Sequence, residues 1–146
     1  MWLNKFFSKG KPEKTPTAWF VIFTPSTQFE WWNIFTKHRK NFDHVCALQY
    51  DRRIASWILV DWSSYGLWVN SLSNDEVDYF LGAAIQNRWP MVKYSQTVYK
   101  VPIVIGPYCV SAIKHLMGVN TLAFTPYQLY KDLKKRGAKD VFEEMG

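Results

Sequence analysis

The sequence predicts a single α+β domain, an antiparallel sheet of about five strands packed against two or three helices. Three observations carry this. Residues 18–72 hold four compact, apolar, β-rich runs, and the last three are joined by short connections, the pattern of an antiparallel meander. Stretches in the second half show helical spacing with start and stop signals. The chain has 146 residues, the length of one ordinary domain, and it is 48% hydrophobic and 21% charged, as globular chains are. Strands followed by helices, without strict alternation, point to α+β.

In chain order, residues 1–17, "MWLNKFFSKGKPEKTPT", read as an extended basic and aromatic lead-in broken by Pro12 and Pro16, and the globular domain is expected over 18–146. "AWFVIFT" (18–24) is a compact apolar run expected as a central strand. Pro25 and Ser26 open "STQFEWWNIFTKH", whose Phe29, Trp32, Ile34 and Phe35 suit a short helix or an aromatic loop equally. "FDHVCALQY" (42–50), "ASWILVDW" (55–62) and "GLWVNSL" (66–72) are the three meander strands. "SNDEVDYFLGAAIQN" is helical, with Ser73 as N-cap and Asp75, Glu76 and Asp78 near the positive end of the dipole. "MVKYSQTVYKVPIVI" is strand again, in one or two segments split at Pro102. Gly106 and Pro107 end it, and "YCVSAIKHLM" forms a helix closed by Gly118. The last helix has Thr125 as cap, Pro126 at its first position, and lysines before Gly137 at its end.

Composition bounds the function classes. The net charge of +6 gathers at the ends, in Lys5, Lys9, Lys11 and Lys14 and in Lys131, Lys134, Lys135, Arg136 and Lys139. It favours anionic partners, so nucleic-acid binding stays open on charge alone. Two cysteines without a CxxC pair exclude a disulfide scaffold and give no zinc pattern, so no metal and no cofactor is expected, and a reducing compartment fits. The start of the chain lacks a sustained apolar region with a cleavage site, and "AWFVIF" is far shorter than the ~20 residues of a membrane span. A cytoplasmic or virion-associated protein without a secretory signal or transmembrane segment is expected. Trp2, Leu3, Phe6 and Phe7 between lysines suit a terminus that docks on its own domain, on a partner or on a membrane surface.

Chemistry points to three residues. In a helix from Tyr108, Cys109, Ala112, Ile113 and Leu116 share a face, so Cys109 is expected to point toward the sheet from the first turn. There it is either a buried structural thiol or a nucleophile whose thiolate the helix N-terminus favours. A nucleophile needs an imidazole. His115 lies about 600° around the same helix and points elsewhere. His38 sits in the charged loop "TKHRKN". His44 lies in a strand on the face of Cys46 and Leu48, and Asp61 lies on the next strand on the face of Trp57 and Leu59. A carboxylate there can accept from the ring N–H and fix its tautomer. Cys46, two residues from His44, either crowds such a site or is itself the thiol that matters.

The order of these residues, His in "DHVCALQY", acid in "WILVDW", then Cys in "PYCVSAIKHLMG", resembles the circularly permuted branch of the papain-like superfamily. That branch includes lecithin–retinol acyltransferase-like proteins and permuted amidases, and the likeness covers residues 42–130. It implies a permuted papain-like fold and a cysteine hydrolase, amidase- or peptidase-like, in which His44 deprotonates Cys109, Asp61 orients His44, and a thioacyl intermediate forms on an amide or ester substrate. Backbone N–H groups at the helix start would hold the oxyanion, with Gln96 and Tyr108 as candidate side chains, and Trp31, Trp32 and Trp62 as candidate groove residues. The chain carries Tyr108 where the acyltransferase-like pattern has Asn, which counts against lipid acyl transfer. "CVSAIKHLMG…FTPYQLYKDL" is also similar to small proteins of tailed phages. The alternatives are therefore a non-catalytic structural or binding protein of a phage particle on the same fold, with a protein partner met through aromatic surface or basic ends, and a nucleic-acid-binding module.

Overall fold

The computed structural model describes residues 18–25, 41–63, 65–95 and 108–146. The lead-in of residues 1–17, the segment 26–40 with Trp31, Trp32 and His38, and the segment 96–107 with Gln96 and Pro102 lie outside the described residues.

The fold is α+β. Its elements run β1 (Ala18–Thr24), β2 (His44–Asp51), β3 (Ser56–Ser63), β4 (Gly66–Leu72), α1 (Asn74–Gln86), β5 (Met91–Ser95), α2 (Cys109–Met117), α3 (Pro126–Lys135), β6 (Lys139–Asp140) and α4 (Val141–Met145). The described strands form one six-stranded sheet in the order β4-β3-β2-β1-β5-β6. Every pairing is antiparallel.

β1 is central. Val21 pairs with Ala47 on β2 and with Val92 on β5. Its sequence is uniformly apolar because both faces of the sheet are covered, so alternation has no polar side to show. Val21 and Phe23, with Val45, Ala47 and Val92, meet α2 and α3 through Ile113, Leu129 and Leu133. Ile22, with Cys46, Leu48 and Met91, meets Val77 and Ala84 of α1 on the other face. Among the described residues the result is three layers, with α2 and α3 on one face of the sheet and α1, joined by Val141 of α4, on the other. Much of the aromatic content serves this packing: Phe42 stacks edge-on against Tyr127 at 5.0 Å, and Phe23 against Tyr130 at 5.4 Å.

Local signals set the helix starts. Ser73 and Glu76 form a capping box: the Ser73 hydroxyl accepts from the Glu76 N–H at 3.3 Å, and the Glu76 carboxylate accepts from the Ser73 N–H at 2.8 Å. Thr125 and Gln128 do the same for α3, with Pro126 at its first turn. α2 ends at Gly118 in the left-handed region, φ 56°.

The β2–β3–β4 meander, both caps and α3 match expectation. Among the described residues the sheet carries one strand more than expected and the helices number four. The additions are β6, of two residues, and α4, of five, both too short for periodicity to register. Asp140 links them, because its carboxylate accepts from the Phe142 N–H at 3.0 Å and caps α4. Among the described residues no helix is long and apolar enough to cross a membrane.

Ile113 is 1% exposed and joins α2 to the sheet. Ile113→Ala should cost about 2–5 kcal/mol in urea unfolding. Leu122→Ala, at an exposed position, should stay within about 0.5 kcal/mol.

Candidate functional site

Three elements converge at one end of the sheet. β2 starts with His44, paired to Thr24 of β1. β3 pairs with β2 from Asp51↔Ser56 to Ala47↔Val60, and the same register carried one step further sets Cys46 beside Asp61. Asp61 therefore shares a face with its diagonal neighbour His44. The His44 Nε2 lies 2.5 Å from Asp61 Oδ1, and the two side chains are 20% and 36% exposed. α2 supplies the third member, since Cys109 lies near enough to His44 for its charge to act on the imidazole. The structure thus brings His44, Asp61 and Cys109 into one chain of contacts.

The electrostatics follow from this placement. Burial alone would lower the His44 pKa. The hydrogen bonds to Asp61 and Cys109, together with the negative charges of these partners, outweigh it and raise the value to about 10. Cys46 behaves in the opposite sense. Burial, reinforced by the nearby charges of Asp61 and Cys109, pushes its thiol up, so it stays neutral. Its Sγ donates to the Ile22 carbonyl at 3.8 Å, within the apolar cluster under α1. Cys109 belongs to the cluster on the other face. The two thiols are therefore separated by the sheet.

Cys109 is 1% exposed at the first turn of α2, pointing inward as its spacing requires. The buried face of α2 is nevertheless rotated from the expected one. Cys109, Val110, Ile113, Lys114 and Met117 are buried, whereas Ala112 and Leu116 are half-buried. Lys114 buries its stem and donates from Nζ to the Ala123 carbonyl at 3.1 Å. His115 is exposed and on a different face from Cys109.

Ala112 and Leu116 instead line a groove of about 900 Å³ between α2 and the β2–β3–β4 sheet. Tyr108, Ser111 and His115 complete the helix side, at the i, i+3, i+4, i+7, i+8 spacing of one helical face. That stripe is present in the sequence as helical spacing, but Ala112 and Leu116 are expected there on the face of Cys109. Trp62, expected at a groove, lines this one. The Tyr108 phenol has its pKa raised by burial and by the charge of Cys109, against the opposing effect of Ser111. Among the described residues no group of three or more His, Cys, Asp or Glu side chains is arranged to hold a metal ion.

The arrangement can perform one kind of chemistry directly. A carboxylate holds an imidazole, the imidazole stands near a thiol, and the thiol opens a helix whose first N–H groups no Tyr108 side chain caps. No family model, curated protein or solved structure matches the chain.

The folded pKa of His44 lies above its ordinary value of 6.5, so the stability from its protonated form is complete below about pH 6.5 and lost as pH rises through about 10. Asp61→Asn should cost about 1–2 kcal/mol near neutral pH. Thermal unfolding across pH should show this difference narrowing as pH rises through about 10.

Proposed function

We propose that the protein is a cysteine hydrolase of the amidase or peptidase type, with Cys109 as nucleophile, His44 as base and Asp61 as the residue that orients the imidazole. One observation carries this reading: His44 bonds Asp61 and lies close to Cys109, although the three come from separate elements. The chain order of His strand, acid strand and Cys helix supports a permuted papain-like arrangement.

The reaction runs in two halves. Near neutral pH His44 already holds the thiol proton, and the Cys109 Sγ thiolate attacks the amide carbonyl carbon. The N–H groups at the start of α2 receive the oxyanion. His44 returns the proton to the departing amine, leaving a thioester on Cys109. Water then attacks the thioester carbonyl while His44 takes its proton, and the acid leaves as the thiol is restored. Cys46 takes no part, because burial holds it neutral and its Sγ donates to the Ile22 carbonyl.

A second reading, a non-catalytic binding or structural protein such as a component of a phage particle, has one observation in its favour. Cys109 is 1% exposed, as an inert core cysteine also is.

Iodoacetamide alkylation near neutral pH, with the modified cysteine located by mass spectrometry, separates the two. Cys109 should react well ahead of Cys46, and His44→Ala should slow it by roughly 100-fold or more. Cys46→Ser should leave the rate unchanged. An unreactive Cys109, or one indifferent to residue 44, would favour the binding protein.

A further inference from the structure

The described sheet ends at β4, whose outer edge pairs with no other described strand. A free edge displays backbone N–H and C=O groups, and proteins usually blunt it with charge, proline or a covering element. β4, "GLWVNSL", has no charged residue and no proline, and its Leu67, Trp68 and Val69 are 53%, 49% and 61% exposed. Alternation sends Leu67 and Val69 to the same side as their β3 partners Trp62 and Val60. All four line the groove. The open backbone edge and the apolar groove are therefore two parts of one surface.

The groove has the size of a ligand cleft, and its interior carries an unused polar group. Ser111 lines it and is 3% exposed, and its buried hydroxyl, beside the Tyr108 phenol, has no hydrogen-bond partner of good geometry among the described residues. A buried hydroxyl without a full partner is uncommon in a finished core and suits a site that a ligand completes. One end of the groove is formed by Tyr108 and Trp62, which precede Cys109 and follow Asp61 in the chain. At the other end lies the Asp51–Arg53 ion pair, at 2.8 Å in the β2–β3 turn.

We propose that this surface is a cleft for an extended apolar peptide, which adds to β4 as a further strand and places alternate side chains in the groove. As an assignment of substrate this rests on the Cys109–His44–Asp61 reading; as a binding site it does not. A peptide is favoured over a fatty acyl chain for two reasons. An acyl chain leaves the β4 backbone groups unused, and the groove wall formed by Leu67 and Val69 is open to solvent along its length. A second copy of the chain is disfavoured by the +6 charge each copy carries. Period-two contact with the groove selects peptides with apolar residues at every second position.

The test uses the full chain carrying Cys109→Ser, so that binding is read without turnover. The probes are a fluorescein-labelled hexapeptide of alternating leucine and serine, its backbone N-methylated counterpart, and fluorescein-labelled dodecanoate, each followed by anisotropy. The hexapeptide should bind, and N-methylation or Val69→Lys should each weaken it by about tenfold or more. Failure of the hexapeptide to bind, equal binding of the N-methylated probe, or preference for dodecanoate would overturn the proposal. So would a stable dimer that Val69→Lys dissociates, because a second copy would then own the edge. Peptide binding without His44-dependent alkylation of Cys109 in the parent would leave the cleft standing and remove the catalytic reading. The reverse pair of results would do the opposite.

Discussion

The antiparallel register of β2 against β3 sets both the core and the candidate site. Ala47 meets Val60 and Leu48 meets Leu59, so one face of the pair turns to α2 and α3 and the other to α1. The same register brings Asp61 beside His44. A slip of one residue would turn Val45 and Ala47 away from the cluster they complete and carry Asp61 out of reach. Such a slip is costly because β2 is held from both sides, with Ala47 and Leu48 wholly buried and β1 fixing its other edge. The ion pair and the hydrophobic packing are consequences of one pairing, and substitutions in either are expected to be felt in both.

α2 is the second element on which the site depends, and it works on two faces. Cys109, Ile113 and Met117 pack into the core, and Ala112, Leu116 and His115 turn to the groove. Its nine residues are too few for propensity to hold it, so packing and its C-terminal closure must. The closure is thorough: Gly118 takes the left-handed turn, the Val119 N–H donates to the Lys114 carbonyl at 3.0 Å, and Lys114 itself reaches Ala123. The N-terminal end is left without a side-chain cap, which keeps its N–H groups available beside Cys109.

Much of this was legible in the residues. β1 shows as an unbroken apolar run because both its faces are covered, and α1 and α3 show through Ser73 and Thr125 with their capping boxes. His44 and Asp61 could be paired on paper because short connections make β2 and β3 neighbours, and a period of two fixes which residues share a face. The contact of Cys109 with His44 could not be derived that way. It depends on how α2 crosses the sheet, which no local pattern records. The return of β5 to β1 is a long-range pairing of the same kind. The groove stripe was present at helical spacing, but it competes on the same helix with the core face, and composition does not rank two apolar faces. His38, Trp31, Trp32 and Gln96 lie outside the described residues.

The account stands on a single proton-sharing centre in which His44 serves Asp61 and Cys109 together. Nitrogen-15 NMR of the His44 imidazole across pH, in the parent and in Cys109→Ser, reads that centre directly. The account predicts that the ring stays protonated until about pH 10 in the parent and loses its proton at distinctly lower pH once the thiol is gone. Titration near the ordinary value of 6.5 in both proteins would contradict it, because His44 would then share a proton with neither partner.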